Sequence, residues 1–147
     1  MVFNHTAGGR GHNEPMEVDR IDVTDTGVAT KVLELQKAAY RVEAELVGSD
    51  EIPPLHETLG ELMDAELQWR GIRDEGELVA VLAFKADGSV IDIDRLVVTP
   101  SEMRRGLGSA LVATLRRDAT VTVSTGTLNR PARQFYLKHG FLAVGES

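Results

Sequence analysis

A glycine turn between a strand-like run and a helix-like run constrains this chain more than any other feature. Residues 91–98 are rich in Ile and Val, as expected of a strand, and residues 107–117 have apolar residues at helical spacing. Between them, residues 103–109 read Met-Arg-Arg-Gly-Leu-Gly-Ser. A glycine turn here exposes free amides at a helix start, beside the positive end of the helix dipole. The turn therefore predicts a site for an anion such as a pyrophosphate.

Other readings of this turn are open or excluded by the sequence itself. The glycines could serve only to turn the chain tightly. A Walker-type phosphate loop requires a lysine directly after its second glycine, but Ser109 follows Gly108. The dinucleotide pattern requires a third glycine at the position of Leu111. An anion site and a plain structural turn remain the two alternatives.

A second segment about twenty residues further on favours the anion site. A strand-like run at residues 121–125 is followed by Asn129 and then by Arg-Pro-Ala-Arg-Gln-Phe-Tyr-Leu-Lys-His-Gly-Phe, which ends at Phe141. The two segments, in this order, resemble the signature segments of the GNAT family, the Gcn5-related N-acetyltransferases. The resemblance follows the order of elements over residues 18–144 and is specific over residues 91–141.

The resemblance implies an α/β fold: the GNAT acyl-CoA N-acyltransferase fold, a mixed central sheet with about four flanking helices. The sequence pattern agrees, with a long helix over residues 28–46 that ends at Gly48 and a short helix over residues 55–63. Three strands at residues 67–73, 78–85 and 90–98 are separated by turns short enough to predict antiparallel hairpins.

The end of the sheet departs from the family pattern. Family members usually continue through a final hairpin, whereas Phe141 here is followed by residues 142–147. We therefore expect the C-terminal strand to be short or absent. Either a partner subunit or the N-terminal segment could cover that sheet edge, and an uncovered edge would favour a homodimer.

The resemblance implies acetyl-CoA as co-substrate and no metal. It assigns the pantetheine arm to Asn129 and to the backbone of the predicted strand at residues 90–98, and the pyrophosphate to the glycine turn. Met103 departs from the glutamine or arginine usual at that position. The implied cofactor-binding residues are Leu96, Val97, Val98, Arg104, Arg105, Gly106, Leu107, Gly108, Ser109 and Asn129.

The resemblance also assigns catalytic roles. Tyr136 matches the position whose hydroxyl protonates the departing thiolate. A protonated amine must lose a proton before it attacks a thioester, and Asp92 and Asp94 are the candidate acceptors on the strand that leads to the cofactor. Glu43, Glu45 and His56 remain alternatives. The chain has no cysteine, so an acyl group would most simply pass directly from donor to acceptor.

Composition bounds the partners. At 147 residues the chain fits one domain, predicted at residues 18–147 after a flexible tail at residues 1–17. A net charge of −7 argues against nucleic-acid binding. No apolar stretch approaches the roughly 18 residues of a membrane span, so neither membrane association nor export is expected, and the cytoplasm is the default location.

These observations predict an N-acetyltransferase that moves an acetyl group from acetyl-CoA to a primary amine by direct attack in a ternary complex. The amine would belong to a small molecule or a peptide. The alternative is a non-catalytic acyl-CoA-binding protein that acts as a sensor or regulatory module.

Overall fold

The fold is described from a computed structural model. The structure describes residues 2–6, 17–48, 57–102, 106–115, 118–124, 135–138 and 142–145. Within these ranges, no helix is long and apolar enough to cross a membrane.

The described strands form one mixed sheet. They are β1 Val2–Thr6, β2 Asp19–Arg20, β3 Gln68–Asp74, β4 Glu77–Asp87, β5 Val90–Val98, β6 Thr120–Ser124 and β7 Leu142–Gly145. Their order across the sheet is β2-β3-β4-β5-β6-β1-β7. The β5–β6 pair is parallel and the other neighbours are antiparallel, which confirms the predicted mixed sheet and its two hairpins.

In the described ranges three helices flank the sheet: α1 Thr26–Val47, α2 Leu59–Asp64 and α3 Leu107–Val112. A 3₁₀ turn at Pro100–Glu102 precedes α3, and residues 135–138 form a further helical turn. Gly48 ends α1 in the left-handed conformation, with φ of 72°, as predicted for a helix-terminating glycine.

Alternating residues of β4 separate two apolar cores. Val81 and Ala83 belong to the core under α1 and α2, whereas Leu82 and Phe84 belong to the core under α3. Because successive strand residues point to opposite faces, the two cores lie on opposite sides of the sheet. These sides are called the α1 face and the α3 face below.

The N-terminal residues correct the prediction of a flexible tail over residues 1–17. Residues 2–6 are strand β1, which lies between β6 and β7 and pairs antiparallel with both. Asn4, for example, is in register with Thr122 on one side and Leu142 on the other. Burying backbone groups in a sheet requires hydrogen-bond partners, and β6 and β7 offer β1 partners along both edges. Residues 7–16 lie outside the described part of the chain.

The predicted short C-terminal strand is β7, with four residues. We expected either a partner subunit or the N-terminal segment to pair with the strands at this end of the sheet. In the structure the N-terminal segment does so, because β1 lies between β6 and β7.

Candidate functional site

Strand β5 separates from β6 halfway along its length. The parallel pairing between them runs from Val90 with Thr120 to Ile93 with Val123, whereas β5 remains paired with β4 as far as Val98. Within the described residues, the side of β5 that faces away from β4 is therefore without a strand partner from residue 94 to residue 98. We call this side the open edge of β5.

The hydrogen-bond pattern identifies which backbone groups face the open edge. The amide of Thr99 donates to the carbonyl of Val79 on the β4 side, at 2.8 Å. Because successive residues of an antiparallel strand alternate sides, Val97 also faces β4, and Leu96 and Val98 face the open edge. Of the three predicted cofactor-binding residues on this strand, Leu96 and Val98 have backbone groups that face the open edge. Val97 instead contributes a buried side chain, 2% exposed, to the core on the α1 face.

The predicted glycine turn begins helix α3 beyond the open edge. Gly106 precedes the helix in the left-handed conformation, with φ of 79°, and no side chain caps the helix start. Leu107 is buried in the core on the α3 face, and Ser109 is half-buried. Arg104 and Arg105 lie outside the described residues, and so does Asn129.

Gly108 brings three separate parts of the chain together. A Cβ atom added to it would lie 3.2 Å from two ring carbons of Phe135 and 3.5 Å from Leu96 Cδ2. The start of α3, the helical turn at residues 135–138 and the open edge of β5 therefore meet at this glycine. The two sequence segments that suggested a cofactor site are neighbours in the fold.

Tyr136 lies on the same side of the sheet. It is 5% exposed and packs in the core on the α3 face, with its ring edge-to-face against Phe135 at 5.1 Å between centroids. Tyr136 is thus a core residue as well as a candidate for catalysis. Its packing against Phe135 holds the ring near the glycine turn.

The two predicted proton acceptors have different surroundings. Phe84 is opposite Ile93 and Ala83 is opposite Arg95, which leaves Asp94 as the extra residue of a β-bulge. Asp92 and Asp94 therefore do not lie on one strand face at a regular spacing of two residues. The exposed Asp92 accepts a hydrogen bond from Thr122 Oγ1 of β6, at 2.6 Å, whereas Asp94 Oδ2 accepts one from Arg95 Nε, at 2.7 Å.

Arg95 and its partners are a feature that the sequence analysis did not identify. Arg95 is 8% exposed and donates to Glu57 and to Gln36, which is fully buried on α1. A signal was available: Arg95 is the one basic residue of strand β5, and it directly precedes the apolar residues Leu96, Val97 and Val98. What the sequence does not indicate is which distant residues neutralise it.

The remaining candidate proton acceptors gain no support. Glu45 is exposed on α1, the side chain of Glu43 is not among those described, and His56 lies outside the described residues. Asp92 and Asp94 therefore remain the candidates on β5.

Comparisons with known proteins agree with this geometry. The model of the Acetyltransferase (GNAT) family matches residues 29–141. UPF0157 protein YqkA of Bacillus subtilis is 33% identical over 118 residues, which make up 78% of this chain and 34% of that protein. This chain thus spans about a third of the length of that curated relative.

Solved structures show the same fold at low identity. PaiA N-acetyltransferase from Thermoplasma acidophilum, in complex with coenzyme A, superposes with a TM-score of 0.76 at 13% identity, covering 91% of this chain and 94% of that one. The ribosomal-protein-S18-alanine N-acetyltransferase from Escherichia coli superposes with a TM-score of 0.68 at 16% identity, covering 88% and 79%. Since the family model covers well over half of the sequence, this chain belongs to the GNAT family of acetyltransferases.

Proposed function

We propose that this protein transfers an acetyl group from acetyl-CoA to a primary amine, by direct attack of the amine on the thioester. The open edge of β5 carries this proposal. An amide-rich pantetheine arm needs unpaired strand backbone, and among the described residues Leu96 and Val98 have no strand partner on the side of β5 that lies beside the glycine turn of α3. The coenzyme A bound to the Thermoplasma relative supports an acyl-CoA donor at a fold of this kind.

In this proposal the donor lies between β5 and α3. The pantetheine arm pairs with the backbone of Leu96 and Val98, and the amides at Gly106–Ser109 face the pyrophosphate. In the described part of the chain, Gly106 begins the helix with a left-handed turn and no side-chain cap, which leaves the amides of Leu107 and Gly108 for a ligand. Arg104 and Arg105 would add charge, and Asn129 would contact the arm. A backbone amide at the open edge polarises the thioester carbonyl.

Asp92 is the proton acceptor in this mechanism. An alkylamine with a pKa near the lysine value of about 10.4 arrives protonated and must lose a proton before it attacks. The hydrogen-bond partner of Asp92 is the Thr122 hydroxyl, which can turn to another acceptor when the carboxylate takes up a proton. Asp94 is ion-paired with Arg95 and is better suited to hold a cation than to exchange protons with one.

Tyr136 acts as general acid in this mechanism. As the amine attacks, the carbon–sulfur bond of the thioester breaks and the sulfur needs a proton. The position of Tyr136 beside Phe135, which contacts Gly108, supports this role because it puts the residue next to the proposed donor site. No cysteine is present to carry an acyl intermediate, which supports direct transfer.

The acceptor is a small-molecule or peptide amine rather than a nucleic acid. The net charge of −7 supports a neutral or cationic acceptor and disfavours a polyanion. The Escherichia coli relative, by its name, acts on an alanine of a ribosomal protein, which makes peptide amines a natural first set to screen.

Release of free coenzyme A thiol from acetyl-CoA tests the proposal. The purified protein is incubated with acetyl-CoA and a panel of polyamines, amino acids, aminoglycosides and peptides with free N-termini. We expect at least one amine to accelerate thiol release, and we expect Asp92→Asn to slow it by roughly 100-fold or more, the usual contribution of a general base. Binding of acetyl-CoA with no amine-dependent release would instead identify a non-catalytic acyl-CoA-binding module.

A further inference from the structure

Arg95 is a buried cation on the same strand as the proposed donor site. Its Nη1 donates to Glu57 Oε1 at 2.8 Å and to Gln36 Oε1 at 3.0 Å, and its Nε donates to Asp94. Gln36 Nε2 in turn donates to the same Glu57 oxygen at 2.7 Å. The three side chains of Arg95, Gln36 and Glu57 thus form a closed ring of hydrogen bonds between β5, α1 and the residues that precede α2.

A small neighbour makes room for this arrangement. Trp69, Ala83 and Arg95 are aligned across β3, β4 and β5. Because Ala83 has no side chain beyond Cβ, the guanidinium extends across it and lies 5.2 Å from the centre of the Trp69 ring. The aromatic face and the ring of hydrogen bonds together fix the orientation of the guanidinium.

Core stability does not require a charge at this position. Burial lowers the pKa of Arg95, but its hydrogen bonds to Glu57 and Asp94, together with their negative charges, outweigh burial and raise that pKa overall. The surrounding core on the α1 face is otherwise apolar, and buried ion pairs often stabilise a fold no better than well-packed apolar residues. A role in fixing geometry explains the network better than a role in stability alone.

The ring joins three parts of the chain next to the open edge of β5. Arg95 directly precedes Leu96 of the open edge, Asp94 is the bulged residue before it, and Glu57 leads into α2. Asp94 directs Oδ2 to Arg95 and keeps a side chain that is 41% exposed. In the described part of the chain Asp94 has no second partner, so Oδ1 is available to an ammonium group.

We propose that Arg95 is a positioning residue of the amine site, which aims the Asp94 carboxylate at a cationic acceptor and holds the residues before α2 against β5. This inference rests on the proposed function. It adds that the acceptor is a cation held by Asp94, while Asp92 takes the proton.

Arg95→Met tests the proposal against a matched control, Arg70→Met. Arg70 on β3 is also stacked on an aromatic ring, 5.0 Å from the centre of Phe84, but it donates to Thr114 on the α3 face. We expect Arg95→Met to raise the KM for the amine by roughly 10-fold or more, the usual effect of losing an aligned charged contact, and to leave the KM for acetyl-CoA nearly unchanged. Arg70→Met should change neither KM.

Hydrogen exchange provides a readout that does not depend on activity. If Arg95 holds the residues before α2, amide exchange in residues 57–64 should speed up in Arg95→Met and also in Glu57→Gln, which keeps the shape of the side chain while removing its charge. Arg70→Met should not speed up exchange there. Glu57→Gln provides the same tests if Arg95→Met fails to fold.

The possible results separate this proposal from the proposed function. Unchanged exchange in residues 57–64, or an unchanged amine KM despite faster exchange, would overturn the role of Arg95. Equal increases in the KM values for amine and acetyl-CoA would also overturn it, because they indicate a general structural loss. If the wild-type protein binds acetyl-CoA but acetylates no amine, the proposed function fails, and the amine role of Arg95 fails with it.

Discussion

Gly108 is the position at which helix α3 packs closely against Phe135 and strand β5. The start of α3 lies close to the ring of Phe135 and to Leu96 of β5: a Cβ at this position would lie 3.2 Å from the ring, which is tighter than an ordinary contact, and 3.5 Å from Leu96. The exposed Gly60 in α2 is a contrasting helical glycine, since a Cβ there would meet nothing within 4 Å.

Paired alanine substitutions at these two glycines test the close approach. Gly60→Ala should stabilise the protein by about 0.5–1 kcal/mol, because alanine loses less backbone freedom in a helix. Gly108→Ala should give no such gain, because the new methyl group would lie 3.2 Å from the Phe135 ring, which would have to shift to accommodate it. The measurement is the free energy of unfolding in a denaturant titration. Equal stabilisation by both substitutions would show that Gly108 is not needed for packing.

Tyr136→Phe separates the chemical role of the hydroxyl from the packing of the ring. The ring is buried, so phenylalanine should keep the fold and the affinity for coenzyme A. Loss of a general acid should lower kcat by roughly 100-fold or more. Steady-state kinetics and calorimetric titration with coenzyme A provide the two values. A parallel loss of turnover and affinity would contradict the assigned role.

At the scale of single residues, sequence patterns identify candidate site residues more readily than the distant residues that hydrogen-bond to them. The glycine turn and Tyr136 could be found because each belongs to a contiguous segment. The ring around Arg95 could not, because Gln36, Glu57 and Arg95 come from three separate parts of the chain and meet only after folding. Similarly, the bulge at Asp94 depends on the register with β4, which local alternation does not reveal.

Helix α2 is fixed at its start by a capping box. Thr58 Oγ1 accepts a hydrogen bond from the amide of Glu61, and the Glu61 carboxylate accepts one from the amide of Thr58. The hydrogen bond from the backbone of Thr58, with a further contribution from its hydroxyl, lowers the pKa of Glu61 below its ordinary value of 4.5. This box directly follows Glu57, so it fixes the backbone next to the residue that binds Arg95.

Thr58→Ala should destabilise the protein by about 1 kcal/mol at neutral pH, the usual cost of losing such a cap. Since the pKa of Glu61 is lowered on folding, its share of the box is present above the unfolded pKa and is lost as the pH falls through the folded pKa. The destabilisation should therefore shrink in acid. Alanine keeps the backbone amide that donates to Glu61 and removes only the hydroxyl, so denaturation of both proteins at pH 7 and at pH 3 measures the contribution of the hydroxyl. An equal difference at both pH values would show that the Thr58 hydroxyl does not act through the Glu61 carboxylate.

Strand β1 shows the limit of local patterns at the scale of elements. The hairpins of β3, β4 and β5 follow from short turns between adjacent runs, and they could be predicted. The pairing of residues 2–6 with residues 120–124 joins segments more than a hundred positions apart, so no local pattern indicates it.

Asn4→Pro tests whether β1 is integral to the sheet. Asn4 is paired on both sides, and a proline would remove a backbone donor from a strand that has two neighbours. We expect the melting temperature to fall by roughly 3 °C or more, which corresponds to at least one lost hydrogen bond. Asn4→Ala keeps the amide and serves as the control. If the two variants melt alike, β1 is dispensable to the sheet.

For the molecule as a whole, we propose that the two faces of the sheet bind the two substrates separately. The α3 face and the open edge of β5 hold the acetyl donor, and the α1 face holds Asp92, Arg95 and the approach for the amine. Strand β5 belongs to both, because its backbone serves one ligand and its side chains serve the other. Family membership and the mixed sheet could be predicted from two sequence segments. Which residues of β5 face the proposed donor site and which face the α1 side could not be predicted, because this depends on the register of the sheet.

The proposed binding of acetyl-CoA at the open edge of β5 can be tested by the hydrogen exchange of the β5 backbone amides, with and without acetyl-CoA. We expect acetyl-CoA to slow exchange at Leu96 and Val98, which face the open edge, and to leave exchange in β3 unaffected. The amide of Val97, which faces β4, should be slow in both states and serves as an internal reference. Bound acetyl-CoA that protects a different segment, or no binding at all, would contradict the proposed donor site.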